Sequence, residues 1–494
     1  MGRRLRTRVF AFAERHRNHT PHRQAETLLL QRRRRPPPTH RALRPSQRPA
    51  NAGAKPQARP PQRNPGATRP FYTHPPAQTG IPRRPSRLET GLPRCPARAP
   101  QIRVAAPTAK PKSGKKIVKV LHLSSALTWR GGEQQLAYLL EELPAHKVQN
   151  AVLCPQGTPL HKYCLKHDIP HETFKPKPFK KWNGLLALKR ACQKEKPDLL
   201  HAHDSHSHSI AWLAHVSKLL QTPLVISRRV DFPIGSNRLS RKKYNHPGLK
   251  KIICVSEAIR KIIAPQIKDP QKICVVHDGM DPARFTTDES RQSYPLSPEQ
   301  KKQGRLRQSL GIPEDHFLIG KVAALAPHKD YPTFVKTAEL LLRENLPAHF
   351  LLIGRDDGCR REIEQLISQS RQPERFHLPG FRNDIPYILP ELDLFLFTSK
   401  TEGLGSSLLD ALYCGVPIVS TAAGGIPEII QHEKNGLLAP VGDATALARS
   451  VKRLLEEPAL RNKLVKQGRE MVKAFSKAEM TRKTVEVYFN FFLP

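Results

Sequence analysis

From Lys116 onward the chain alternates short apolar runs with segments of helical period, and no other feature restricts its fold as much. "KIVKVLHLSS", Lys116 to Ser125, reads as a strand, "ALTWRGGEQQ" as a loop with two glycines, and "EQQLAYLLEEL" as an amphipathic helix. Further strands read at "NAVLCP", "DLLHAHD", "PLVISRR", "KIICVS" and "KICVVHDG", with helices such as "GLLALKRACQKEKP" and "SIAWLAHVSKLL" between them. Short runs that are apolar throughout, separated by helices, are the pattern of parallel βαβ units buried on both faces. A polar stretch, Asp288 to Gln308, reads as an interdomain connection. The alternation then restarts at "HFLIGKVAAL" and passes through "AHFLLIG", "FHLPGF" and "LDLFLFTS" to three closing helices. The expectation is an α/β chain: two doubly wound domains of similar size, 116–290 and 291–478. A cleft between two such domains is a default binding site.

Residues 1–115 differ in kind. Of 83 Lys+Arg and 42 Asp+Glu in 494 residues, positions 1–116 hold 28 and 3, together with 20 of the 48 prolines. "RRRRPPP" and "RPPQRNPGATRP" show no apolar period, and such a segment cannot bury enough surface to fold. It reads as a disordered basic tail, dispensable for folding and activity. One explanation is an arm for nucleic acid or acidic lipid. The other, which the composition favours, is an overextended gene model with upstream DNA translated in frame. Only Phe10, Phe12, Phe71 and Tyr72 are aromatic, too few for base stacking. "TLLL" is the longest aliphatic run of the tail, short of a signal-peptide core, and no stretch of the chain approaches the length of a membrane span. Eight scattered cysteines without a CxxC read as thiols in a reducing cytosol and give no zinc-ligand pattern.

The chemistry concentrates in "TEGLGSSLLDALYCGVPIVSTAAGGIPEII", Thr401 to Ile430. Two acids, Glu402 and Asp410, have seven residues between them; Gly424, Gly425 and Glu428 follow. The local reading is strand–loop–helix twice over, with Ser406 or Ser407 near the first N-cap and Pro427 at an early helical position. Glycines let backbone N–H groups approach a phosphate, and helix N-termini favour anions. Carboxylates cannot hold phosphate by charge, but they accept hydrogen bonds from hydroxyls. Glycines and acids in this order suggest a nucleotide-sugar, while an ordinary α/β loop with solvated acids is an equal reading of these residues alone.

Other motifs join this block in a fixed order: "WRGGEQQ", "DLLHAHDSHS", "ICVSEAI", "VVHDGMDPARF" and "LLIG" followed by Arg355. Together they resemble the family 4 (group 1) retaining glycosyltransferases, over Ile117 to Phe492. The resemblance implies the GT-B fold: two Rossmann-like domains facing a cleft, the first on the acceptor side, the second binding the nucleotide-sugar, with a C-terminal helix, 479–494, returning to the first. Three positions depart from the family. Its second acid is usually glutamate, and here it is Asp410, one methylene shorter. A common arginine facing the diphosphate is replaced by Ala324 in "ALAPHK"; Lys329 is retained, and Lys321, Arg355 or His328 stand near enough in sequence to compensate. The usual asparagine of "NGVD" is Asp278.

The roles implied by the resemblance are as follows. His203, Lys329 and Glu402 are the expected catalytic residues. Lys329 would neutralise the diphosphate leaving group, and Glu402 would accept sugar hydroxyls. Gly131, Gly132, Lys329, Glu402, Gly403, Leu404, Gly405, Ser406 and Asp410 are expected to bind the donor, with Asp410 on the ribose. Arg228 and Arg229 open a basic segment running to Lys251 and are weaker expectations for the acceptor; a solvated basic loop is the even alternative. His201 and His203 share a strand face, so a metal site is conceivable there, but the expectation is no metal and no cofactor beyond a nucleotide-sugar co-substrate of unspecified base. The implied activity is sugar transfer with retention to a saccharide or lipid-linked acceptor, in cell-envelope polysaccharide or lipopolysaccharide synthesis. The implied location is the cytoplasm, with peripheral contact to an anionic inner membrane face and no nucleic-acid partner. The alternatives are a nucleic-acid or membrane-surface binder with an inactive transferase body, and a sugar-nucleotide epimerase or hydrolase on the same fold.

Overall fold

A computed structural model describes residues 117–490 apart from 178–179, 236 and 286–293. The tail expected at 1–115 therefore lies outside the described residues.

Thirteen strands form two parallel sheets among the described residues. The first contains β1 Val118–Leu123, β2 Val148–Pro155, β3 His171–Phe174, β4 Leu199–Ala202, β5 Leu224–Arg228, β6 Leu249–Cys254 and β7 Ile273–Val275, in the order β3-β2-β1-β4-β5-β6-β7. The second contains β8 Phe317–Val322, β9 Ala348–Ile353, β10 Phe376–Gly380, β11 Leu394–Phe397, β12 Ile418–Thr421 and β13 Leu437–Ala439, in the order β10-β9-β8-β11-β12-β13. The apolar runs become these strands because both of their faces are covered: β4, β9, β11 and β12 are buried at every position. The covering helices show the matching stripe. In Tyr331–Arg343 the buried set includes Tyr331, Phe334, Val335, Ala338, Leu341 and Leu342, the i, i+3, i+4, i+7 face of a helix.

The two sheets share one winding. In each, the strand order reverses beside the first strand, between β1 and β4 and between β8 and β11. Loops leaving the carboxyl ends at such a reversal flank the ligand crevice of this architecture. The four loops at these two places carry the Gly131 segment, His203, Lys329 and Glu402.

The last helix, Lys477–Phe489, packs on the first sheet, as expected. Met480, Val485, Val487 and Tyr488 share a buried cluster with Val118, Val120 and Tyr138, and the Tyr488 hydroxyl lies 2.5 Å from His201 Nδ1. The chain passes between the sheets twice, at Met280 and Ser476, and the two passes meet in a single parallel β-bridge: Met280 N donates to Phe475 O and Lys477 N to Met280 O, both at 2.8 Å.

Two local expectations are corrected. Residues 288–293 of the polar stretch lie outside the described residues, and the rest is not only a connection: it carries the short helix Pro298–Lys302 and the start of Arg305–Leu310, the second capped by Glu391, which accepts from Leu306 N at 3.0 Å. The helix Ser406–Tyr413 is preceded at its N-cap by Gly405 rather than capped by a serine, because the chain enters at φ +90°, a left-handed conformation that glycine adopts without strain.

Candidate functional site

The second sheet positions Lys329 and Glu402 together. After β8 the chain makes the 3₁₀ turn Pro327–Lys329, and after β11 it runs through Thr398 and Ser399 to Glu402. The two loops are laced to each other: Lys400 N donates to His328 O at 2.8 Å, and Ser399 Oγ donates to the same carbonyl at 3.0 Å. Lys329 Nζ donates to Glu402 Oε2, and Ser399 Oγ lies 3.4 Å from that oxygen. Both side chains of the ion pair are mostly buried, 14% and 12% exposed, so their attraction is less screened than on an open surface. Gly424 places Glu402 from the other side. At φ +51° a Cβ built there would stand 2.0 Å from Glu402 O, so only glycine lets the two backbones meet, and Gly425 N donates to that carbonyl at 2.9 Å.

Beneath this pair lies Lys321, fully buried on β8. Its Nζ donates to Thr398 O at 2.9 Å, to Thr398 Oγ1 at 2.7 Å and to Lys329 O, and it sits 4.0 Å from the centroid of the Tyr331 ring. Burial, and then the charge of Lys329, push its pKa well below that of an ordinary lysine. Lys321 therefore fastens the two loops from below and does not face the cleft as a substitute for the missing arginine. Arg355 lies over the Phe381 ring at 5.2 Å, and its carbonyl accepts from Leu325 N at 2.8 Å. His328 is exposed, with partial desolvation and Lys329 holding its pKa below the usual histidine value.

Asp410 lies on the inner side of Ser406–Tyr413 and meets a cation from the first domain. Arg284, in the turn Pro282–Phe285, donates to Asp410 Oδ2 at 3.4 Å and to the Tyr138 hydroxyl at 3.0 Å. Burial raises the Asp410 pKa to about 6, against the opposing pull of Arg284. A group raised in this way is protonated below pH 6 and ionised above it. If the ionised carboxylate holds a ribose, nucleoside diphosphate affinity will weaken as pH falls through about 6, approaching tenfold per unit at the limit. Asp410→Asn will flatten that dependence and weaken binding at pH 7.5 by about 1–2 kcal/mol, the size of a hydrogen bond to a charged group. Calorimetric titrations between pH 5 and 8 check both statements. An unchanged pH dependence in the variant would remove Asp410 from the site.

The first sheet brings up the opposing wall. Helix Gly131–Glu142 begins directly at the glycine pair, and a Cβ built on Gly131 would be 3.7 Å from Ser406 Oγ across the cleft. On Gly132 it would be 3.8 Å from Arg229 Cδ. The Arg229 carbonyl abuts Gly403, and its guanidinium bonds Asp278 through Nε at 3.2 Å. The aspartate at the family's asparagine position thus balances a neighbouring cation. Burial raises the Asp278 pKa, and Arg229 opposes this. Gln135 pairs with the Gly279 peptide through two 2.8 Å hydrogen bonds, tying the glycine loop to the same segment. Arg228, in contrast, is buried and directed inward, donating to the Tyr244 hydroxyl at 2.7 Å and to Phe232 O. The weaker expectation that Arg228 grips an acceptor is not what its contacts suggest; Arg229 is the member of the pair beside the cleft.

Glu428 joins the walls. Its carboxylate accepts from Glu257 N at 2.8 Å and Ala258 N at 2.9 Å, the first turn of helix Glu257–Ile263, and lies 2.9 Å from His277 Nε2. Burial alone would raise its pKa, but the His277 contact and the two amides hold it below the usual glutamate value. Arg130 makes a second bridge, to Asp357 at 3.1 Å.

His203 directly follows β4, beside β1, and is buried. His122 Nδ1 lies 3.0 Å from His203 Nε2, and the His201 ring lies tilted against His203 with centroids 4.0 Å apart. One nitrogen from each of the three rings falls within 4.8 Å of the others, a grouping that could hold a metal ion. Both nitrogens of His122 and both of His201 are already hydrogen-bonded, to Asn150, His203, Tyr488 and Ser227, so an ion would have to displace those bonds.

Two family models match the chain: Glycosyl transferases group 1 over residues 302–471, and Glycosyltransferase Family 4 over residues 129–284. The chain belongs to the family 4, group 1 glycosyltransferases. The glycosyltransferase is 24% identical over 390 residues to the UDP-Gal:alpha-D-GlcNAc-diphosphoundecaprenol alpha-1,3-galactosyltransferase of Escherichia coli, covering 74% of this chain and 97% of the relative. It is 25% identical over 335 residues to the N-acetyl-alpha-D-glucosaminyl L-malate synthase of Bacillus anthracis, covering 66% and 83%. Among solved structures, the Anabaena protein HepE in complex with UDP-glucose superposes with a TM-score of 0.65 at 20% identity, covering 75% of this chain and 99% of that one. That likeness carries the GT-B fold. Lys329, Glu402, Gly403, Gly405, Ser406 and Gly131 of this glycosyltransferase come together, with Leu404 buried behind them. Arg284, the inward fastening role of Lys321 and the bridging contacts of Glu428 are not legible as site features in the sequence. Arg284 and Glu428 lie inside recognised motifs, but their partners are more than a hundred residues away.

Proposed function

We propose that this glycosyltransferase moves a sugar from a nucleotide-sugar to a saccharide or lipid-linked acceptor, with retention, in the synthesis of a cell-envelope polysaccharide or lipopolysaccharide. The observation that carries the reading is the mostly buried Lys329–Glu402 pair at the reversal point of the second sheet, with Asp410 on the following helix. Lys329 lies where a cation would meet charge gathering on the leaving diphosphate. Glu402, Gly403, Gly405 and Ser406 border the donor sugar and phosphates, Asp410 takes the ribose, and Gly131 and Gly132 close from the acceptor side. In this reading the division of labour follows the two sheets, with 116–290 holding the acceptor, 291–478 the donor, and 479–494 returning to the first.

Glu402 is engaged by Lys329, which makes it a poor free nucleophile and favours a same-face displacement. The bond from C1 to the leaving phosphate oxygen breaks as the acceptor oxygen bonds C1 on the same face. The acceptor proton passes to that phosphate oxygen. The names of the relatives support the substrate class: one acts from UDP-Gal on a diphosphoundecaprenol-linked sugar, and a Rhizobium meliloti relative is a lipopolysaccharide core biosynthesis glycosyltransferase. No helix among the described residues is long and apolar enough to cross a membrane; the proposed contact with lipid-linked acceptors is peripheral and on the cytoplasmic face.

The test supplies radiolabelled UDP-, GDP- and ADP-sugars with membranes containing undecaprenyl-diphosphate saccharides and follows label into the lipid fraction. Transfer from one donor, with the product anomer matching the donor by NMR, is expected. Release of free sugar or of an epimerised nucleotide-sugar, without transfer, would favour the hydrolase or epimerase instead.

A further inference from the structure

His203 Nδ1 is buried and makes no hydrogen bond within the protein. A buried polar atom without a partner is uncommon and asks for an explanation. The hydrogen-bond chain behind the ring assigns what that atom can do.

The chain starts at Asn150 on β2. Its Nδ2 donates to Leu140 O at 3.2 Å, which fixes the orientation of the amide. Asn150 Oδ1 is therefore the atom that faces His122 Nε2, at 3.3 Å. A carbonyl oxygen only accepts, so His122 carries a proton on Nε2. Burial lowers the pKa of His122 to about 4, so near neutral pH its ring has one proton and Nδ1 is a bare lone pair. That lone pair faces His203 Nε2 at 3.0 Å, and two lone pairs cannot share a hydrogen bond, so His203 Nε2 is protonated. Burial also holds the His203 pKa well below the ordinary value, with His201, His122 and Arg229 adding to the effect. A neutral ring protonated at Nε2 has an unprotonated Nδ1.

We propose that Asn150 and His122 are positioning residues that lock His203 in the tautomer with Nε2 protonated and Nδ1 a bare acceptor, so that His203 takes a hydrogen bond from a hydroxyl of the bound sugar or acceptor. An acceptor nitrogen repels phosphate and carbonyl oxygens, so His203 selects a ligand hydroxyl and not the diphosphate. His201 belongs to a separate chain, from the Tyr488 hydroxyl to Ser227 Oγ, which keeps its nitrogens away from His203. The sheet explains the wiring: β1 lies between β2 and β4, His122 is level with Val152 and His201, and Asn150 and His203 stand two residues along on either side, within reach of its ring.

The proposal rests on His203 facing the reacting sugar, and its test reads the tautomer without any substrate. In the full chain labelled with ¹⁵N-histidine, long-range ¹H–¹⁵N correlation spectra at pH 7.5 should show His122 and His203 each with a protonated Nε2 and an unprotonated Nδ1. A protonated His203 Nδ1 would overturn the proposal, whatever the transfer assay gives. Asn150→Leu removes the acceptor that sets the chain. The His203 signals should then shift towards the other tautomer, and turnover should fall by about tenfold, the loss of roughly one hydrogen bond, with nucleoside diphosphate affinity unchanged. If Asn150→Leu alters the tautomer but not turnover, His203 takes no ligand hydroxyl and the functional half of the proposal fails. Wild-type spectra decide the tautomer even if that variant does not fold.

Discussion

Lys329→Ala will lower turnover by about a hundredfold or more while leaving the fold intact, the loss seen when a group that stabilises transition-state charge is removed. Ala324 stands where the family usually has a second cation, and Lys321 is turned inward, so Lys329 is the lysine of this segment that reaches the cleft. The loop itself should survive, because Lys321 holds it through the Lys329 carbonyl rather than the side chain. Glu402 loses its cation but keeps Ser399 Oγ nearby and the Gly425 amide on its own carbonyl. Steady-state transfer and a melting curve check the two halves together. Unchanged turnover would mean that another residue meets the diphosphate.

Lys321→Met will have a different signature. The side chain is close to isosteric, but three oxygens lose a donor: Thr398 O, Thr398 Oγ1 and Lys329 O, the last keeping only Thr398 Oγ1 at 3.3 Å. Leaving buried acceptors without partners costs about 1–3 kcal/mol each, partly recovered where the loops relax or admit water. A net loss of about 3 kcal/mol corresponds to a fall in Tm of roughly 6–12 °C for a domain of this size. Donor affinity should fall as well, because the Lys329 and Glu402 loops are no longer held at one separation. Melting curves and nucleotide titrations on the variant measure both. A Tm within two degrees of wild type would show that the methionine packs as well as the lysine bonds, and would remove the fastening role.

Both sheets were legible from the alternation of apolar runs and helices, because a strand covered on both faces needs a run that is apolar throughout. The Glu402 and Lys329 loops were legible as well, since each follows such a strand directly. What the sequence concealed are features made by partners distant in the chain. Lys321 reads as a cation near enough in sequence to replace the missing arginine, because nothing local announces its burial; two oxygens of Thr398, the Lys329 carbonyl and the Tyr331 ring make that burial tolerable. Glu428 reads as one acid of a motif, while its amide partners stand 170 residues earlier. Arg284 reads as a turn arginine until the fold lays it against Asp410. His122 was within reach: a histidine inside "KVLHLSS", in the strand that a doubly wound sheet places beside "DLLHAHD", already predicts adjoining rings.

The most direct measurement is calorimetric titration of UDP, GDP and ADP into the protein and into Lys329→Ala, Asp410→Asn and Asn150→Leu. One site for one of the three nucleotides is expected, weakened in the first two variants and unchanged in the third. Binding that ignored both Lys329 and Asp410, or no binding of any of the three, would contradict the donor site placed at the carboxyl ends of β8 and β11.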